Sequence, residues 1–133
     1  PTSGTVTVDG LDTRRRGAQV RRRVGFCFTD PDTQIVMPTV AEDVEFSLRR
    51  SGLNREDRRR RVDQVLATYN LSDHADHPCH LLSGGQKQLL ALAAVLVIEP
   101  SVIVADEPTT LLDLRNRALV AETFAGLPSS SWW

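Results

Sequence analysis

The stretch Val102-Ile103-Val104-Ala105-Asp106-Glu107-Pro108 constrains this chain more than any other. Residues 101–106 predict a short buried strand, apolar and β-branched, that ends in two acids. A carboxylate at the C-terminal end of such a strand sits where open α/β sheets bind their ligands. In a phosphoryl-transfer site an acid there can hold Mg²⁺, which bridges and neutralises phosphate oxygens. A second acid one residue later can orient or deprotonate an attacking water. Asp106 and Glu107 are therefore the candidate catalytic pair, with Asp106 the candidate Mg²⁺ ligand. The competing reading is a strand that ends in an ordinary polar Asp-Glu-Pro turn.

Elsewhere strands alternate with helices. Thr5-Val6-Thr7-Val8 has period two and stops at Asp9-Gly10, a strand followed by a turn. Val24-Gly25-Phe26-Cys27-Phe28, stopped by Asp30-Pro31, predicts a second buried strand. Thr39 with Glu42 three residues on forms a capping box for a helix carrying Val40, Val44 and Leu48. Asn54 caps a second helix through Tyr69, on a stripe of Val62, Val65, Leu66 and Tyr69. A third runs from Ser83 to about Ile98, where Glu99-Pro100 stops it. A last one covers 113–125. The pattern predicts an α/β domain with a mainly parallel sheet and a helical segment at 39–82.

The second informative motif is Leu82-Ser83-Gly84-Gly85-Gln86. A Ser cap followed by two glycines leaves a helix N-terminus with unobstructed amides, a place that favours an anion such as phosphate. Ser83 with Gln86 also fits a plain capping box. Two glycines in a first helical turn cost up to about 1 kcal/mol each relative to alanine, which a purely structural cap has no reason to carry.

Composition narrows the field. Of 16 basic residues one is lysine, Lys87, so any lysine-dependent motif must run through it. A net charge of −1 argues against a dedicated nucleic-acid binder. The arginine runs at 14–16, 21–23 and 58–61 have acids interspersed and no aromatic residues for stacking, so they read as solvated faces. The longest apolar run, 89–98, is about half the ~20 residues needed to span a bilayer, and no signal peptide is visible, which predicts a soluble chain. Cys27 and Cys79 lie far apart without a C-x-x-C and read as reduced thiols. His74, His77 and His80 beside Cys79 suggest a metal cluster, but Pro78 breaks any helix that would align them, so a polar loop is the better reading. The chain opens on Pro1 and stops on Trp132-Trp133 after a serine run, so missing sequence is expected at both ends.

Together the two motifs, with Ser83 and Asp106 separated by 23 residues, resemble the ATP-binding-cassette (ABC) ATPases. Residues 82–86 look like their signature sequence and 102–107 like their Walker B; Asp113 sits where the D-loop aspartate falls. Residues 24–40 are similar to the Q-loop region of the energy-coupling-factor and cobalt-type importers, and 1–10 to the strand that follows the P-loop helix. The resemblance implies a P-loop NTPase core, α/β with a parallel sheet plus an inserted helical subdomain, incomplete at both ends. It divides the chain into a strand region with the Q-loop (1–38), a helical subdomain (39–82), and a signature helix, Walker B strand, D-loop and following helix (83–133).

It also implies ATP and Mg²⁺ as cofactors. Two such subunits, identical or paralogous, pair head to tail with ATP between them. Ser83, Gly84 and Gly85, with Gln86, would cap the γ-phosphate of nucleotide held by the other subunit. Asp106 would serve Mg²⁺, Glu107 would polarise the attacking water, and Asp113 would communicate across the dimer. The helical segment after the Q-loop would receive an integral membrane transporter subunit, placing the protein peripherally on the cytoplasmic face of the cell membrane, with no nucleic-acid partner.

Several positions depart from the family. No G-x-x-x-x-G-K-[ST] occurs, and Lys87 lies inside the signature helix. Thr29, shorter than glutamine, stands at the Q-loop glutamine position. No Thr-His-Asp switch follows Pro128. Leu111-Leu112-Asp113-Leu114 replaces the commoner Gly-Leu-Asp-Pro, a variant most similar to biotin-associated importers of actinobacterial type. The resemblance thus implies a vitamin or metal-ion importer ATPase whose 133-residue piece is inactive alone. The alternatives are an ABC-type ATPase without a membrane partner and a non-catalytic remnant. Tandem cassettes, zinc insertions and coiled-coil arms, which mark the former, do not occur in the sequence.

Overall fold

The computed structural model describes residues 4–126. Asp9 and Gly10 both take positive φ (48° and 73°), the pair a tight two-residue hairpin turn requires. They fold β1 (Thr7–Val8) antiparallel onto β2 (Leu11–Asp12), with Val8 opposite Leu11. The strand expected over 5–8 is thus shortened to two residues. Asp9 fastens this hairpin to the rest of the chain. Its Oδ2 accepts from the Ser101 hydroxyl at 2.6 Å and from Arg23 Nη1 at 3.1 Å, and these two donors hold its carboxyl below the usual range. One helical turn, α1 (Gly17–Val20), leads onward.

β3 (Val24–Cys27) pairs in parallel with β4 (Val102–Ala105), Val24 opposite Val102 through to Cys27 opposite Ala105. The crossover between them carries α2 (Val40–Ser47), α3 (Arg55–Thr68) and α4 (Gly84–Leu96); α5 (Leu114–Ala125) follows β4. Among the described residues one face of this expected buried pair is covered. Alternation turns Gly25 and Cys27 towards α4, while Phe26 and Phe28 are each 50% exposed and stack on one another, and Val104 is 47% exposed. A continuous apolar run identifies a strand but not which of its faces is covered.

The helix starts follow from local chemistry. Glu42 Oε2 accepts from both the amide and the hydroxyl of Thr39, and Val40, Val44 and Leu48 beyond them are buried. Asn54 Oδ1 accepts the Asp57 amide at 2.8 Å and opens α3, whose Val62 and Leu66 enter the core with Tyr69 at its C-cap. The Tyr69 hydroxyl donates to Thr123 Oγ1 and ties α3 to α5.

α4 is the central helix: residues 88–93 are all buried, which explains the long apolar run. No helix among the described residues is long and apolar enough to cross a membrane. α4 ends two residues earlier than expected, because the chain turns through Glu99 at φ 50° to reach Pro100. Residues 1–3 and 127–133, on which the expectation of missing sequence rested, lie outside the described residues, as does the place of a switch segment after Pro128.

Asp43 is a buried acid that the apolar pattern of α2 does not announce. Its Oδ1 accepts the amides of Val36 at 2.8 Å and Met37 at 3.0 Å, clasping the segment that precedes α2. Burial raises its carboxyl above the ordinary value, and the two amides offset this only partly. A carboxyl raised by folding contributes stability that is complete below its unfolded value and is lost as pH rises through its folded value. Asp43→Asn keeps an oxygen for both amides and carries no charge. It is expected to melt above the parent at pH 7, with the difference shrinking as pH falls towards 4. Parallel thermal melts across that range check the sign.

Candidate phosphate-capping site

The N-terminus of α4 is a complete capping box. Ser83 Oγ accepts the Gln86 amide at 3.3 Å, and Gln86 Oε1 accepts the Ser83 amide at 2.9 Å. Gly84 and Gly85 occupy the first turn, whose amides precede the first intrahelical bond.

The structure separates the two glycines. A Cβ on Gly84 would meet only Leu111 Cδ1 at an ordinary 3.7 Å. A Cβ on Gly85 would lie 3.1 Å from the Leu111 carbonyl oxygen. Gly85 therefore has a packing reason to lack a side chain, contrary to the expectation that neither glycine has one. For Gly84 no such reason exists, and its value is the open space in front of the helix.

The carbonyl that crowds Gly85 belongs to the loop leaving β4. That loop starts at Asp106, whose amide donates to the Cys27 carbonyl at 2.9 Å and extends the parallel ladder past β4. The Asp106 carboxylate is exposed and has no hydrogen-bond or ion-pair partner among the described residues, so it is free to take a cation. Glu107 is a non-glycine residue at φ 49°, a conformation that costs of order 1 kcal/mol. Its Oε2 accepts the Thr110 hydroxyl at 3.1 Å. Three residues later Asp113 caps α5, its Oδ1 accepting the Asn116 amide at 2.8 Å. One short loop thus joins the acids of β4, the first turn of α4 and the cap of α5. Leu111 and Leu114 are exposed along it, Leu114 to 85%.

Thr29 lies at the end of β3, and its hydroxyl donates to the Asp106 carbonyl at 3.1 Å. It stands beside the acid pair, with its hydroxyl proton directed to the backbone. Gln34 is the stronger anchor here. Its Oε1 accepts the Phe28 amide at 2.7 Å and its Nε2 donates to the Phe26 carbonyl at 3.0 Å, continuing the β3 edge. Lys87 pairs with Asp32 at 2.7 Å, joining α4 to the turn after β3. Beside that turn Ile35, Val36, Met37, Cys79 and His80 line a shallow groove. Burial raises the Cys27 thiol above its ordinary value, and Gln88 Nε2 contacts its sulfur at 3.7 Å.

No group of three or more metal-ligating side chains comes together among the described residues. His74 instead meets Gln86, with its Nε2 3.0 Å from Gln86 Nε2. Sequence reading passed over this pair because its members belong to separate turns.

Comparison with known proteins gives consistent results. Residues 1–110 match the family model described as ABC transporter. The biotin transport ATP-binding protein BioM of Rhizobium etli is 45% identical over 131 residues, which cover 98% of this chain and 58% of that protein. Among solved structures, cbiO1 of Clostridium perfringens, part of the ABC transporter complex cbiONQ, superposes with a TM-score of 0.76 at 36% identity. That match covers 94% of this chain and 50% of the other. A dimeric ATP-binding cassette in a post-hydrolysis state, bound to ADP and Pi, superposes with a TM-score of 0.77 at 32% identity, covering 92% of this chain and 56% of that one. The chain therefore spans about half the length of the proteins it matches.

Proposed function

This chain belongs to the ABC transporter family, and from that premise we propose that it is part of the ATP-hydrolysing subunit of an importer for a vitamin or metal ion. One observation carries the proposal: the loop 106–113 starts on an exposed, unpartnered Asp106 carboxylate and on Glu107, lays its Leu111 carbonyl against Gly85 in the first turn of α4, and ends on the Asp113 cap of α5. These are the parts that a nucleotide sandwiched between two subunits requires from each.

The chain's own residues divide the work. The Ser83 hydroxyl and the amides of Gly84 and Gly85 receive phosphate oxygens of nucleotide held by the second subunit, where the helix end favours negative charge. The Gln86 side chain holds the Ser83 amide in place behind them. Asp106, unpaired and exposed, would hold Mg²⁺, which would supply neutralisation of phosphate charge. Glu107 orients and deprotonates the attacking water. Thr29 braces the Asp106 carbonyl and so keeps the ends of β3 and β4 together. Asp113 and the exposed Leu114 face the second subunit. The groove by Val36, Met37 and Cys79 receives the membrane subunit, which places the protein on the cytoplasmic face of the membrane. The relatives support this reading: one is a biotin transport ATP-binding protein, another is part of an ABC transporter complex, and a third is a dimeric cassette bound to ADP and Pi.

Asp is as good an N-cap as Ser but adds a negative charge where phosphate has to sit. Ser83→Asp in the intact protein is expected to leave the melting temperature unchanged and to lower MgATP turnover at least ten-fold. Unchanged turnover would remove the α4 terminus from the reaction. The 133 residues alone, lacking a G-x-x-x-x-G-K-[ST] loop, are expected to show no turnover.

A further inference from the structure

We infer that His74 is a positioning residue for the phosphate-capping turn, acting through the side chain of Gln86; this rests on the function proposed for that turn. The argument starts from the Ser83 amide. A backbone N–H can only donate, so the Gln86 atom facing it at 2.9 Å has to be Oε1. The Gln86 amino group then points the other way, at His74 Nε2, 3.0 Å off. Two donors cannot face each other, so this ring nitrogen is bare and accepts the bond. His74 is therefore neutral with its proton on Nδ1. Nδ1 is buried and has no hydrogen-bond partner among the described residues, so the tautomer is set from the Gln86 side alone.

The ring is held in place from several directions. It packs T-shaped against His77 with ring centres 5.0 Å apart. The His74 amide donates to the Leu71 carbonyl and its carbonyl accepts from the His77 amide. Leu71 itself is fully buried in the core. A rigid path thus runs from the core through the turn at Ser72–His74 to Gln86 and on to Ser83. Without His74 the Gln86 amino group loses its acceptor and the side chain is free to rotate away from the Ser83 amide. The remaining bond of the capping box, from the Gln86 amide to Ser83 Oγ, is the longer of the two at 3.3 Å.

Nitrogen-15 NMR of histidine-labelled intact protein tests the tautomer at pH 7.5, with His77 and His80 as internal references. A bare Nε2 and a protonated Nδ1 on His74 are expected; a proton on Nε2, in either the neutral or the charged ring, would overturn the inference. The second arm compares two variants by hydrogen exchange. His74→Ala is expected to speed exchange of the Ser83 amide at least ten-fold. His74→Gln, which offers a carbonyl oxygen to the same amino group, is expected to restore most of the protection. Equal Ser83 exchange in His74→Ala and the parent would also overturn it. MgATP turnover should follow the same order, falling about ten-fold in His74→Ala and recovering in His74→Gln. Neither the tautomer nor the exchange measurement needs nucleotide. An intact parent protein without turnover would sink the proposed function while these two measurements still decide the role of His74.

Discussion

Glu107→Gln in the intact protein is expected to lower MgATP turnover by about 10²–10⁴-fold while nucleotide binding survives, the range typical for loss of a positioned general base. Glutamine matches glutamate in shape and retains an oxygen that can accept the Thr110 hydroxyl, so the turn from Glu107 to Thr110 should persist. What disappears is the charged oxygen to which the proposed function assigns the proton of the attacking water. Because the Ser83 turn and Asp106 are untouched, nucleotide is expected still to bridge the two proposed subunits. The variant should therefore accumulate as a closed dimer in MgATP, detectable as a shift in size-exclusion or scattering mass. Turnover equal to that of the parent would take the base role away from Glu107. Loss of turnover together with loss of binding would point to a collapsed loop instead, and the left-handed backbone at Glu107 makes that comparison necessary.

Gly25→Val should be the most damaging single change to the fold. A Cβ built on Gly25 runs into Val95 Cγ1 of α4 and lies 3.1 Å from Pro100 Cγ. Val95 cannot swing aside, because a β-branched side chain in a helix is confined to essentially one rotamer. Pro100 cannot move without displacing the start of β4, which is paired residue for residue with β3. Overpacking of this kind costs about 3 kcal/mol, and valine's two further methyls extend the conflict. In a chain of this size that corresponds to a melting point lower by roughly 10 °C. Gly84→Ala is the contrast, since its Cβ meets only Leu111 Cδ1 at 3.7 Å. It should melt at or above the parent. A Gly25→Val protein that melts with the parent would mean that β3 does not press on α4 as described.

Much of the local structure was legible in advance because its causes lie within one helical turn. Thr39 with Glu42, Asn54 with Asp57 and Ser83 with Gln86 all complete their hydrogen bonds over three residues. The parallel pairing of β3 with β4 followed from the alternation of element types. Which face of those strands α4 covers was not legible, since the composition of 24–28 and 102–105 is apolar whichever face is covered. The buried acid Asp43 and buried Gln88 were not foreseen, because each looks from the sequence like an ordinary polar helix position.

For the site, residue types at set spacings named Ser83, Gly84, Gly85, Gln86, Asp106 and Glu107, and the family resemblance added Asp113. Spacing could not say how they meet. That Gly85 is confined by Leu111, that Thr29 donates to the carbonyl of Asp106, and that Gln86 leans on His74 are contacts between segments 26, 77 and 12 residues apart.

By itself, then, the sequence determined the strand that ends in two acids, the capped helix with open first-turn amides, and the family to which both belong. The first two depend on periodicity and on hydrogen bonds closed within a few residues, and the family on the likeness of both motifs to known proteins. The tertiary structure alone decided that only one of the two glycines is required by packing, that Gly25 and Cys27 turn the inner face of the β3–β4 pair onto α4, and that a histidine from a separate turn stands behind the cap. Those outcomes depend on how closely distant segments approach, and a side chain's identity does not encode the atom it will meet.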